Sequence, residues 1–181
     1  GLIDPGAIVR RLEEIVEVID IPVIADADTG YGNALNARRA ARGFERAGVA
    51  GFHLEDQVFP KRCGHYDDKS LVPTHEFTQK MKAMRDAMSD DDMVIIARTD
   101  AIAVEGFDAA IERAQAYAEA GADVVFVEAP TSLEQIEAIA ARIPQPKLIN
   151  MFHGGKTPLV PLERLQALGY AIVIIPSDLQ R

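Results

Sequence analysis

Met93-Val94-Ile95-Ile96-Ala97-Arg98-Thr99-Asp100 is the stretch whose reading decides the fold. An apolar run of β-formers passes without alternation into Arg98, Thr99 and Asp100. That is the pattern of a parallel strand covered on both faces and polar only at its C-terminal end. The same shape recurs at residues 22–28, 51–56, 123–129, 147–151 and 171–176. Helical patterns fill the gaps. Ile8, Leu12, Ile15, Val16 and Ile19 recur at helical spacing behind Asp4 as N-cap and Pro5 at the first helical position. Residues 34–47 are Ala/Arg-rich and stop at Gly48, and residues 107–120 stop at Gly121. Residues 74–88 carry Phe77, Met81, Met84 and Met88 on one stripe, which reads as packing against a sheet. Ser132-Leu133-Glu134-Gln135 is a capping box, and residues 161–168 form a last helix ending at Gly169.

Strand–helix alternation of this kind builds βαβ units and a parallel sheet. Two architectures satisfy it, an open doubly wound sheet and a (β/α)₈ barrel. No Gly-x-Gly-x-x-Gly follows the first strand, which removes the main support for a dinucleotide-binding sheet. Polar residues gather instead at the C-terminal ends of strands, where barrels place their chemistry. The chain therefore reads as α/β, a partial TIM-type barrel with about six strands, forming one unit over 1–181. It begins without Met in a helix lead-in and is expected to be a fragment.

Of its 181 residues, 48% are hydrophobic and 26% charged, which argues against disorder, collagen and a disulfide-stapled miniprotein. No apolar run approaches the roughly 20 residues needed to span a bilayer, and no signal peptide is visible. A net charge of -9 and a pI near 4.9 disfavour nucleic acid and anionic membrane as partners. A single cysteine, Cys63, allows no internal disulfide and suits a reducing cytoplasm.

The strand ends deliver Asp26 and Asp28, then Glu55 and Asp56, Arg98 and Asp100, Glu128, and Asn150. Asp26 and Asp28 lie two apart and are expected to point the same way. Clustered carboxylates repel unless a cation compensates, and oxygen-only ligands favour Mg²⁺, with Mn²⁺ as the substitute. Arg98 offers a fork for a carboxylate or phosphate. The alternative is that these are solvated loop-edge charges, with Asp56 and Asp100 as N-caps. Lys61-Arg62-Cys63-Gly64-His65 follows the second strand. There Cys63 stands among cationic side chains and the amides of Gly64 and His65, a route to a depressed thiol pKa and a proton donor or nucleophile. His53 is mid-strand and reads as core, or as support behind the ligands, rather than as a ligand, and His75 as a surface residue.

Ala25-Asp26-Ala27-Asp28-Thr29-Gly30-Tyr31-Gly32, Leu54-Glu55-Asp56-Gln57, Lys61-Arg62-Cys63-Gly64-His65 and Ala97-Arg98-Thr99-Asp100-Ala101 together resemble the isocitrate lyase/phosphoenolpyruvate mutase superfamily. The Lys-Arg-Cys-Gly-His loop resembles its C–C lyase branch. The resemblance implies a Mg²⁺-dependent carbon–carbon lyase acting on a small 2-hydroxy di- or tricarboxylate. Asp26 would be the direct metal ligand, and Asp28 and Glu55 would hold metal-bound waters. Cys63 would be the general acid. Tyr31, Gly64, His65, Arg98, Glu128 and Asn150 would contact substrate. It further implies two upstream strands, one with a Ser/Gly loop, another metal-shell Asp, helices beyond the last strand and a homotetramer of the full-length protein. The segment 150–158 differs from the Ser-rich site of isocitrate lyases, so isocitrate is not the expected substrate. Two other readings stay open: a carboxyphosphonoenolpyruvate phosphonomutase-like C–P enzyme, and an inactive truncated barrel.

Overall fold

The computed structural model describes residues 3–63 and 68–176. Helix α1 (Pro5–Val16) starts where its cap stands, with the Asp4 carboxylate accepting from the amides of Gly6 and Ala7. Strand β1 (Ile24–Asp26) leads to α2 (Ala34–Ala47), capped by Asn33 and closed by Gly48 in the left-handed conformation. Then follow β2 (Gly51–Glu55), α3 (Thr74–Arg85), β3 (Val94–Thr99) and a short 3₁₀ turn (Ala101–Ala103). The rest is α4 (Phe107–Glu119), β4 (Val124–Val127), α5 (Leu133–Arg142), β5 (Lys147–Asn150), α6 (Leu162–Ala167) and β6 (Tyr170–Ile174). Ser132 accepts from the Gln135 amide at the start of α5, as its capping-box spacing predicts.

All six strands are parallel and paired in chain order, β1 to β6, in one sheet curled into half a barrel. The two-residue alternation of a strand sorts its side chains between the faces. Outward go Ala25 and Ala27, Phe52 and Leu54, and Ile95 and Ala97, packed with Phe44, Phe77, Met81 and Met84 of α2 and α3. Val125, Val127 and Ile149 likewise pack with Ile111, Ile136, Ile139 and Leu165 under α4 to α6. The Met stripe of α3 is thus core. Inward go Ile96, Val124, Phe126 and Leu148, with Val94, Ile172 and Ile174 against them. This inner layer is small and apolar, and it forms the floor beneath the charged residues one step further along each strand.

Gly51 shows how closely β2 and β3 approach: a Cβ there would lie 2.7 Å from the Val94 carbonyl oxygen. The strands are shorter than their apolar runs suggest, because β1 stops at Asp26 and the chain then turns. Asp28 has φ 53° and Tyr31 φ 61°, both left-handed, and Gly30 between them has φ 86°. The expectation that Asp26 and Asp28 share strand alternation is corrected here. Asp28 lies beyond the strand, where pleat no longer sets direction.

Candidate active site

The site is built from the last inward residue of successive strands. In register, Asp26 pairs with His53, Glu55 with Arg98, and Arg98 with Phe126. Arg98 lies over the Phe126 ring, 5.0 Å from its centroid, so the apolar floor carries a guanidinium on its upper side. Glu55, Arg98, Glu128 and Asn150 are all buried.

Arg98 is the hub. Its Nε and Nη2 donate to Asp100 Oδ2 and Oδ1 at 3.0 and 3.1 Å. Nε also lies 3.3 Å from Glu55 Oε2, and Nη2 3.5 Å from Glu128 Oε1. Burial works against its charge, but Glu128, Asp100 and Glu55 outweigh that and push its pKa above the ordinary arginine range. The fork expected to grip a ligand is therefore spent on Asp100, and Nη1 is the nitrogen outside these contacts. Asn150 Nδ2 donates to Glu128 Oε1 at 3.3 Å, while Asn150 Oδ1 is buried with no hydrogen-bond partner. An unpaired buried acceptor carries a desolvation penalty and marks a place where a ligand donor fits.

On the β1 side, the Asp28 amide donates to Asp26 Oδ1 at 2.7 Å, and the Thr29 amide to Asp28 Oδ1 at 2.8 Å. From α3, the buried Lys80 ammonium donates to the Thr29 carbonyl and fixes the turn from behind. Tyr31 hydroxyl donates to the Asp26 carbonyl at 3.4 Å, and burial together with Asp26 and Asp28 pushes its pKa up. Asp26, Asp28, Tyr31 and Lys61 line one cavity of about 190 Å³ with Ile3 and Ile8.

The cation between the carboxylates is Lys61. Its Nζ lies 3.5 Å from Asp26 Oδ2 and 3.3 Å from Glu55 Oε2. Burial raises the Glu55 carboxyl to about 7 against the pull of Arg98 and Lys61, and its Oε1 has no hydrogen-bond partner. Burial also opposes ionisation of Asp26, yet His53, Lys61 and the Asp28 amide together hold it below the usual aspartate value. His53 Nδ1 stands 3.9 Å from Asp26 Oδ1, and burial lowers its pKa against the pull of that carboxylate.

Among the described residues no three His, Cys, Asp or Glu side chains stand close enough to hold a metal directly. The donor chemistry still suits a hard cation: the carboxylates are oxygen donors, an ammonium already sits between two of them, and Glu55 Oε1 is orphaned.

Cys63 is exposed. Its loop leaves β2 through an antiparallel bridge of Gln57 to Leu71, with the Val58 amide donating to the Ser70 carbonyl. Gln57 clamps the loop next to the thiol: its Nε2 donates to Arg62 O at 2.8 Å and its Oε1 accepts from Arg62 N at 2.9 Å. Gly64 and His65 lie outside the described residues. Asp56 is not an N-cap. It is fully buried, accepting from Thr99 Oγ1 and the Asp100 amide, so it holds the end of β3. Asp100 occupies the N-cap position of the 3₁₀ turn without a side-chain cap bond, its carboxylate being taken by Arg98 and by Lys69 at 3.4 Å. Sequence reading missed the roles of Gln57, Lys61, Lys69 and Lys80. Gln57 and Lys61 stand inside the quoted motifs, whereas Lys69 and Lys80 leave no local signal.

A model of the family described as phosphoenolpyruvate phosphomutase matches residues 1–181. The chain is 48% identical to 2,3-dimethylmalate lyase of Eubacterium barkeri over 98% of its own length and 61% of that protein's. It is 47% identical to 2-methylisocitrate lyase of Aeropyrum pernix, over 97% and 56%. A crystal structure of 2,3-dimethylmalate lyase superposes with TM-score 0.93 at 36% identity, covering 99% of this chain and 61% of that one. Phosphonopyruvate hydrolase in complex with oxalate and Mg²⁺ superposes with TM-score 0.83 at 32% identity, over 97% and 61%. The chain thus spans about three fifths of the length of these proteins.

Proposed function

Because this chain belongs to the phosphoenolpyruvate phosphomutase family, within the PEP mutase/isocitrate lyase superfamily, we propose that it is the catalytic-barrel portion, over 1–181, of a carbon–carbon lyase. The substrate is a 2-hydroxy di- or tricarboxylate of the dimethylmalate or methylisocitrate kind, cleaved to an oxo acid and a carboxylic acid. The observation that carries this reading is the convergence of Asp26, Glu55, Arg98, Glu128 and Asn150 from five successive strands onto one mouth, beside the loop that bears Cys63.

Asp26, Asp28 and Glu55 would hold Mg²⁺, or Mn²⁺ in its place. The family resemblance makes Asp26 the direct ligand, with the other two acting through water. The metal, when bound, polarises the oxygens of the 2-hydroxy acid. Arg98 Nη1 meets a substrate carboxylate, and Asn150 Oδ1, Tyr31, Glu128, Gly64 and His65 complete the pocket. Cleavage breaks the bond between the carbinol carbon and its neighbour as a general base takes the hydroxyl proton. The electron pair stays on the neighbouring carbon as an enolate, which takes the proton of the Cys63 thiol. The full-length protein is a homotetramer acting on small carboxylates in the cytoplasm. No helix among the described residues is long and apolar enough to cross a membrane.

The lyase reading is favoured over a phosphonomutase because, among superposed structures, a 2,3-dimethylmalate lyase is 36% identical to this chain and a Streptomyces platensis phosphoenolpyruvate phosphomutase 30%. The test is an assay of the full-length protein with Mg²⁺ against a panel of 2-hydroxy acids and phosphonates, following release of oxo acid or phosphate. Oxo acid from a branched 2-hydroxy diacid is expected. Turnover of phosphonates alone overturns the lyase, and no turnover of either class favours the inactive barrel.

A further inference from the structure

Lys61 lies within ion-pair distance of a β1 and a β2 carboxylate at once, 3.5 Å from Asp26 Oδ2 and 3.3 Å from Glu55 Oε2. Its side chain is largely buried, 23% exposed. It lines the same cavity as Asp26 and Asp28. Two carboxylates drawn toward one inward-facing space leave an uncompensated charge if nothing positive stands between them, and such charges are costly to bury. Lys61 supplies that compensation from within the chain.

We infer that Lys61 is a built-in counter-ion which occupies the cation's place and sets the affinity of the site for a divalent metal. The inference rests on the proposed reading of Asp26, Asp28 and Glu55 as the metal-holding set. An ammonium and a divalent cation cannot both sit between the same two carboxylates, so Lys61 must withdraw its side chain for the metal to enter. The backbone does not need to follow, because Gln57 holds Arg62 through both its amide and its carbonyl at 2.9 and 2.8 Å. The motion is confined to a four-carbon stem with free rotors. The pair with Asp26, whose side chain is 54% exposed, is of the partly exposed kind, whose strength is small, and the buried Glu55 keeps Arg98 Nε at 3.3 Å when Lys61 leaves. Lys61 therefore weakens metal binding by a modest factor and does not block it. In exchange, the site keeps its carboxylates compensated in the absence of metal.

The test is titration of the full-length protein with Mn²⁺, reading free ion by its paramagnetic resonance signal, alongside thermal unfolding with and without the ion. Lys61→Gln is expected to bind Mn²⁺ about three- to tenfold more tightly than the unsubstituted protein. It is also expected to melt at lower temperature without metal, and to gain more from metal. Lys61→Arg, which keeps the charge, is expected to remain at or below the unsubstituted affinity. Equal or weaker binding by Lys61→Gln overturns this inference while leaving the metal site standing. Absence of Mn²⁺ binding in the unsubstituted protein overturns the metal reading itself, and this inference with it.

Discussion

Tyr117 of α4 and Asp56, 61 residues earlier, share a 2.8 Å hydrogen bond from the phenol to carboxylate Oδ2 in the closed interior between helix and sheet. The same oxygen accepts from Thr99 Oγ1 at 2.7 Å and lies 3.5 Å from Arg113 Nη1. Burial raises the Asp56 carboxyl in spite of these donors. The network ties α4 to the end of β3, where Arg98 and Asp100 begin the site. Asp56→Ala leaves the Tyr117 hydroxyl and Arg113 facing an apolar gap. The expected loss is about 3 kcal/mol of unfolding free energy by urea titration, and a loss under about 1 kcal/mol would show that the network is idle.

Asp100 gives a pH signature. Burial alone would raise its pKa, but Arg98 and Lys69 hold it below the ordinary 3.8. A depressed carboxylate contributes stability that is present above its unfolded pKa and lost as pH falls through the folded value. Stability should therefore fall between pH 4 and more acid conditions in part through this group. Asp100→Asn should show a shallower fall over that window than the unsubstituted protein, measured as urea midpoints at each pH. Parallel curves would remove Asp100 from the acid response.

Cys63→Ser in the full-length enzyme should lower turnover of a 2-hydroxy acid by about 10²–10⁴-fold, the usual cost of a lost general acid. Substrate affinity should hold, since Cys63 is exposed and is not among the residues that line the cavity with Asp26, Asp28 and Lys61. Near-normal turnover would point to the phosphonomutase alternative, where no carbanion needs a thiol proton.

Strands β1 and β6 are the two edges of the sheet among the described residues. Ile21 is 71% exposed and Ile24 41%, both at the β1 edge. Unpaired apolar edges recruit other strands. The 181-residue chain expressed by itself should self-associate in light scattering, and Lys at positions 21 and 24 should reduce this. A monodisperse monomer would show that the edges are harmless.

The strand order, the capped helices and the ring of strand-end charges were legible because each has a local signature: an apolar run, Asp4 or Ser132 at a cap, a Gly at a C-terminus. What stayed hidden depends on pairs far apart in sequence. Lys80 reaches Thr29 across 51 residues and Thr99 reaches Asp56 across 43, and no period in the sequence encodes either. Asp28 misled for a different reason. Its left-handed backbone is imposed by the turn around Gly30, where a Cβ would lie 3.1 Å from Ala37 Cβ, so the pleat ends before the motif does.

The alternation along β3 has a consequence for how such a protein can change. Ile95 and Ala97 pack in the cluster that includes the helices, while Ile96 packs in the inner layer with Phe126, over whose ring Arg98 lies. If Asn150 contacts substrate as proposed, exchanging a side chain at the inner tip of a strand would revise ligand preference without disturbing the wall behind it. Adding or deleting one residue within the strand does the opposite, turning Arg98 toward the helices and an apolar neighbour toward the mouth. Specificity is therefore free to drift by substitution, while strand length is locked.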